Sequence, residues 1–369
     1  MNIEKGRISG IEYVSLITTF IQGSILWISF TVNLTKHDTW LAILAGYAVS
    51  IPFSFAYAVL GKRFAGQNLV QISEVVLGSY LGKVIALMYS SFFALLLAFN
   101  LKGVGNYLVI FMPQTPMAFF IIIFVAVCAY GIFSGIEVLA RAGNFFMVIG
   151  FVVILGTFFL LLEDMRLANF LPLFEIPLKD FVHGTHIIAA VPFCEIIVFL
   201  MIMPCLNDII NTPRHTLLGL FLGTVSFLVI SIRNTAVLGN TEAIWSSPSF
   251  QASRLIDIGN VLTRMDIVMT IGYTVALFLK CSILYYGAVV SLAQLLCLRT
   301  YAPLIIPVGC IVVTVSMIVF DSTVDNAISA QNDAIILASL FLFVVPPLLL
   351  VVAKLRNLPK KRCTDKSLP

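Results

Sequence analysis

The chain has 369 residues, of which 60% are hydrophobic and only 11% charged, and it carries a net charge of +4. A soluble domain has about 25% charged residues, so there are too few charges here to cover the surface of a water-soluble fold of this length. The composition is that of an all-α polytopic membrane protein forming one membrane domain, with no segment long and polar enough for a second.

Taken in order, the chain opens on a short charged segment, Met1 to Gly10, that runs into an apolar stretch. That stretch is too long for a signal-peptide core and no small-residue cleavage site closes it, so a cleaved signal is not expected. A membrane-spanning helix needs about 20 apolar residues. On that rule the sequence predicts about ten spans, at 11–34, 39–61, 82–111, 117–135, 139–162, 183–205, 215–239, 264–298, 302–320 and 333–354. Lys and Arg concentrate in alternate loops and beyond the last span, in the basic tail 355–369, which places both termini in the cytoplasm and requires an even number of spans.

The first span is interrupted at its centre by Gln22, Gly23 and Ser24. Its polar residues Ser15, Thr18, Gln22, Ser29 and Asn33 recur at helical spacing and share one side. That side faces protein or water, or forms a small-residue packing seam. In span three, Asn100, Gly103 and Tyr107 fall on one face; Gly103 and Gly105 do not make a nucleotide loop, because no strand precedes them. The loop 163–182 contains a proline-rich turn.

The sixth span is the least ordinary. It carries Pro192 near its middle and Glu195 three residues later. Proline removes a backbone donor and clashes with the preceding turn, so a kink or break is expected there. An ionisable group at membrane depth is costly and marks a functional site or a paired charge. Span seven carries Arg233 toward its outer end, where snorkelling is the expected behaviour. The following loop, 240–263, has Leu255, Ile256, Ile258, Val261 and Leu262 at roughly helical spacing, read as a short helix over the outer mouth. Span eight places Tyr273, Lys280, Gly287, Ser291 and Gln294 on one stripe, and Lys280 lies deep enough to need a carboxylate or water. Glu195 is its candidate partner. The pair reads either as a binding or coupling element or as a buried ion pair that only fixes packing.

The four histidines sit near span ends, and His183 and His186 read as interfacial polarity rather than as a metal pair. The seven cysteines form no CxxC pair and read as small apolar residues. No metal and no cofactor are expected. Spans one and six each open a set of five and each has a disrupted centre. This suits two repeats, 1–162 and 183–354, inverted relative to one another because an odd number of helices flips the second copy. The sequence has no HExxH, no GxSxG and no paired carboxylates within a span, so an enzyme is not expected, nor is nucleic-acid binding.

Several stretches carry a family resemblance. They are Asn169-Phe-Leu-Pro-Leu; Pro192-Phe193-Cys194-Glu195 followed by Phe199, Leu200 and Pro204; and Pro248-Ser-Phe-Gln-Ala-Ser-Arg through Arg264-Met-Asp266. Leu279-Lys280-Cys-Ser-Ile-Leu-Tyr-Tyr, Leu292-Ala-Gln-Leu and Tyr301-Ala-Pro-Leu-Ile-Ile-Pro-Val-Gly continue it. Together they resemble the B-subunit permeases of bacterial spore germinant receptors, within the amino acid–polyamine–organocation transporter superfamily. The chain departs from the family's pattern after the first break, where it has one Gly and no following Pro. The resemblance implies a ten-helix fold with a five-plus-five inverted repeat and discontinuous helices one and six. It also implies a subunit in the spore inner membrane that senses a nutrient, typically an amino acid, and acts with A and C subunits.

The ligand site expected from this reading comprises Gln22, Gly23, Ser24, Asn100, Tyr107, Pro192, Phe193, Glu195 and Tyr285, with Glu195 and Lys280 as a coupling pair. Half-helix N-termini carry partial positive charge and suit a carboxylate. Three functions compete: a sensor for partner subunits, a proton-coupled amino-acid transporter, and a partner-gated water or ion conduit.

Overall fold

The computed structural model describes residues 6–256, 265–320, 328–329 and 331–359. The described residues are almost entirely helical; their one β feature is an isolated bridge between Ile8 and Leu206. The first crossing is α1 (Gly10–Gln22) followed, after a break at 23–26, by α2 (Trp27–Thr35). A turn at Lys36, φ 44°, leads into α3 (Thr39–Arg63), which packs back against α2. Then come α4 (Leu69–Leu77), α5 (Ser79–Val109), α6 (Met117–Phe133) and α7 (Ile136–Leu160). The second half holds α8 (Leu178–Ile188), α9 (Thr212–Leu238), α10 (Pro248–Arg254), α11 (Met265–Leu295) and α12 (Ala302–Ile318). The last crossing is α13 (Asp333–Ser339) and α14 (Val345–Leu355), joined by one π turn.

Seven helical stretches are long and apolar enough to cross a membrane, and α6 and α12 are shorter apolar helices. One of the seven, Trp27–Arg63, includes the Lys36 turn and makes two passes, the first completed by α1. The ten crossings expected from the sequence are therefore present, each within a few residues of its expected ends. The protein is a multi-pass membrane protein.

Burial sorts the helices into an inner and an outer set. Every residue of α1 from Tyr13 to Gln22 is buried, as is every residue of α11 from Leu279 to Ser291. Helices apolar on all sides belong in the interior, and α1 packs there against α7, α9 and α11. The approach of α9 depends on small residues. A Cβ on Gly219 would lie 2.8 Å from Ile17, and one on Gly223 would lie 2.7 Å from Ile21. This is the Gly-x-x-x-Gly device by which membrane helices bring backbones close. The outer set shows the reverse: Ile122, Val127, Phe145, Val152 and Phe159 on α6 and α7 are exposed, an apolar surface suited to lipid.

Both described chain ends lie on one face. Ile8 N–H donates to Cys205 O at 2.8 Å, and Arg63 Nε donates to Leu358 O at 2.6 Å. Since α3 runs from Thr39 to Arg63, the loops 161–177 and 239–247 belong to the opposite face. Two features were not anticipated. The helix α4 starts at Asn68, whose side chain accepts from Gln71 N–H while Gln71 Oε1 accepts from Asn68 N–H, both at 3.2 Å. The π turn Leu340–Val344 has carbonyls capped by Tyr57 and Tyr89, whose hydroxyls donate to Leu342 O at 2.5 Å and Phe341 O at 2.7 Å. Of the expected outer helix, Leu255 and Ile256 follow a helix that runs from Pro248 to Arg254, whereas Ile258, Val261 and Leu262 lie outside the described residues, as does the tail from residue 360.

Candidate functional site

Two helices are broken at the centre of the bundle, and each breaks by its own chemistry. In the first crossing the helix tightens rather than unwinds. Gly23 N–H donates to Thr19 O at 2.9 Å, Ser24 N–H to Ile21 O at 2.8 Å and Ile25 N–H to Gln22 O at 3.3 Å. Tight i→i+3 turns satisfy the backbone while changing the helix's direction. Glycine is needed for a packing reason: a Cβ at 23 would lie 2.8 Å from Ala276 O and 3.0 Å from Lys280 Cβ on α11.

In the sixth crossing the break follows from Pro192. Its missing N–H cannot close an α turn. The chain passes through a π turn at Ala189–Phe193 and then a 3₁₀ helix at Cys194–Met201. A single π turn inside a helix is a common feature of functional sites.

The ion pair expected from the sequence joins these two breaks. Lys280 Nζ on α11 lies 2.6 Å from Glu195 Oε2, and both side chains are fully buried. The same ammonium donates to Ser24 Oγ at 2.5 Å and lies 5.2 Å from the centre of the Phe20 ring. At 2.6 Å the ammonium pairs directly with Glu195 Oε2, whereas Glu195 Oε1 has no partner.

The remaining expected site residues divide. Gln22 Nε2 donates to Ser226 Oγ on α9 at 3.0 Å, and Gln22 Oε1 has no partner. Pro192 shapes the π turn, and Phe193 packs against Tyr47 and Phe227 with ring centres 6.4 and 5.8 Å apart. Asn100 Nδ2 donates to Leu96 O within its own helix at 2.7 Å. The Tyr285 hydroxyl donates to Ile305 O on α12, so this residue faces away from the junction. Tyr107 lies farther out, its hydroxyl 3.1 Å from Thr270 Oγ1, and it lines a cavity of about 400 Å³ together with Leu26, Ser29, Asn33, Asn106 and Trp245. Two of these, Ser29 and Asn33, belong to the polar stripe of span one. The cavity thus begins at the first break and opens toward the loop face. Trp245 reaches it from the loop after α9.

Two expectations change. The amides of Gly23, Ser24 and Ile25 are engaged in the tightened turn, so this conformation offers a carboxylate no donor from them. Arg233 does not snorkel: it is fully buried, its Nη1 donating to Thr157 Oγ1 at 2.6 Å and its Nε and Nη2 to Asn234 Oδ1 at 3.2 and 2.8 Å. His183 and His186 reach separate partners, Gln331 O just before the last crossing and Ser339 Oγ within it, each at 2.8 Å. No group of three or more His, Cys, Asp or Glu side chains suited to a metal occurs among the described residues.

The sequence pattern of the spore permease family, described as spore germination protein, matches residues 7–324. Spore germination protein KB of Bacillus subtilis is 26% identical over 315 residues, covering 83% of each chain. Among solved structures, MhsT in complex with L-phenylalanine is similar with a TM-score of 0.70 at 14% identity, covering 95% of this chain and 99% of that one. Mhp1, a nucleobase-cation-symport-1 family transporter in a closed conformation with bromovinylhydantoin bound, gives a TM-score of 0.66 at 15% identity over 92% of this chain and 79% of that one. At such identities the likeness is one of fold: the five-plus-five inverted repeat of transporters with broken first and sixth helices.

Proposed function

The chain belongs to the spore permease family of spore germination proteins, and on that premise we propose that it is the permease-like B subunit of a spore germinant receptor. It resides in the spore inner membrane with both termini in the cytoplasm and acts with A and C subunits. Its ligand is an amino acid or similar small nutrient, received in the cavity that runs from the loop face to the first break. The halves 1–162 and 183–354 are the two repeats whose relative arrangement the ligand biases.

The observation that carries this reading is the buried junction of Ser24, Lys280 and Glu195. One ammonium holds the first break, the sixth break and α11 together. Its charges are fully desolvated, so a small change in the geometry of either break changes their energy greatly. Ligand binding beside the first break shifts the junction between two arrangements, by no more than the ligand's difference in affinity for them. Ser29, Asn33, Asn106 and Tyr107 supply the polar contacts in the cavity, and Tyr285 braces α11 against α12.

Spores carrying Glu195→Gln test the proposal. They are expected to hold normal amounts of the protein and to lose the germination response to its nutrient. A normal response across a full nutrient titration contradicts it. The transporter fold favours a second reading, proton-coupled amino-acid uptake with Glu195 as the proton acceptor. Rapid accumulation of radiolabelled amino acid in proteoliposomes containing the purified chain alone would establish that reading over the sensor.

A further inference from the structure

The cavity of about 400 Å³ beside the first break is walled by the first crossing, by α5 and by residues 243–247 after α9, and none of its lining residues is acidic or basic. What the walls offer is uncharged hydrogen bonding. Ser29, Asn33, Asn106 and Ser246 line the cavity, and their side chains make no hydrogen bond within the described residues. Asn33 and Ser246 are exposed, and Ser29 and Asn106 are half-buried. Trp245, 43% exposed, and Phe30 add aromatic surface to the same walls.

A zwitterionic amino acid is poorly matched to this lining. Its ammonium finds no carboxylate there and its carboxylate no cation, and burying an unpaired charge is costly. The charges of Lys280 and Glu195 do not make up the deficit, because both side chains are fully buried and pair with each other. Nor does the start of α2. Trp27 N–H donates to Ser24 O at 2.9 Å, Ile28 N–H to Ile25 O at 3.1 Å and Ser29 N–H to Leu26 O at 3.1 Å, so these amides are engaged within the chain. A hydroxyl, by contrast, donates and accepts, as do the side chains of asparagine and serine.

We propose that this cavity selects an uncharged, hydroxyl-rich ring, such as a pyranose sugar, over a zwitterionic amino acid. Only the placement of the nutrient in this cavity is taken from the function given above. Hydroxyls around the ring bond Ser29, Asn33, Asn106 and Ser246, and the apolar C–H face of the ring lies on Trp245. Asn33 and Asn106 determine the specificity, since neutral amides leave any formal charge on the ligand without a counter-charge.

The test uses the full chain in nanodiscs, with binding followed by saturation-transfer NMR. One set of probes is glucose, glucosamine and glucuronate, a second is galactose, galactosamine and galacturonate, and L-alanine and L-phenylalanine are the zwitterions. Each sugar set keeps one ring and varies its charge. At least one neutral sugar is expected to bind, and its charged counterparts and both amino acids are expected to bind at least tenfold more weakly. Asn106→Ala and Trp245→Ala are each expected to weaken binding of the neutral sugar by about tenfold. Asn33→Asp places a carboxylate in the wall and is expected to reverse the order, the amino sugar then binding more tightly than the neutral one. A Cβ at Gly103 would meet nothing within 4 Å, so Gly103→Leu is expected to fill the cavity and abolish binding without lowering the unliganded melting temperature. An amino acid that binds more tightly than both neutral sugars, and is lost in Gly103→Leu, overturns the selectivity while leaving the cavity's role standing. Binding of a neutral sugar that Gly103→Leu leaves unchanged overturns both. No binding of either neutral sugar, or an unchanged order in Asn33→Asp, overturns the proposal.

Discussion

The first and sixth crossings hold equivalent places in the two halves, yet they break differently. At Gly23 the break is imposed from outside, by a neighbouring helix that leaves no space for a side chain. At Pro192 it is imposed from within, by a missing donor. The first break carries only neutral polar groups, Gln22 and Ser24, whereas the sixth carries the charge of Glu195. Lys280, from a third helix, serves both. A packing-determined break is sensitive to volume and a proline-determined break to hydrogen bonding, and the junction between them is sensitive to charge. Variants at these positions separate the three terms.

The largest effect is expected where charge is left alone. Lys280→Met strands Glu195 in a site with no other donor, and loss of one partner of a buried pair costs about 3–5 kcal/mol; thermal melting in detergent measures it. Ser24→Ala removes an acceptor from the charged donor and is expected to cost about 1.5–3 kcal/mol by the same measurement. Gly23→Ala forces a methyl group against Ala276 O and Lys280 Cβ, an overpacking of about 1–3 kcal/mol. The smallest effect belongs to Pro192→Ala. The π turn already accommodates residue 192, so stability shifts by less than about 1 kcal/mol, while hydrogen exchange reveals a new protected amide there. If Gly23→Ala proves neutral and Pro192→Ala severe, the assignment of the two breaks is reversed.

The sequence disclosed the part of this arrangement that rests on rare residues in apolar surroundings. Pro192, Glu195 and Lys280 were conspicuous because each lies deep within an apolar span, and the structure brings the two charges together. That the Tyr285 hydroxyl turns to Ile305 O on α12 was not legible, because α11 is buried all round from Leu279 to Ser291; periodicity identifies a face only where one face differs from the others. Arg233 resisted reading because its acceptors are neutral, one of them 76 positions away. The helix α4 had a legible start in its Asn68 to Gln71 box, but its nine residues fall below the length that marks a span.

The claim that one ion pair couples the two breaks is tested most directly by a double-mutant cycle on thermal stability with Glu195→Gln, Lys280→Met and the two combined. The account predicts that Lys280→Met alone is destabilised by about 3–5 kcal/mol and that adding Glu195→Gln restores most of that loss. Strict additivity of the two substitutions contradicts it.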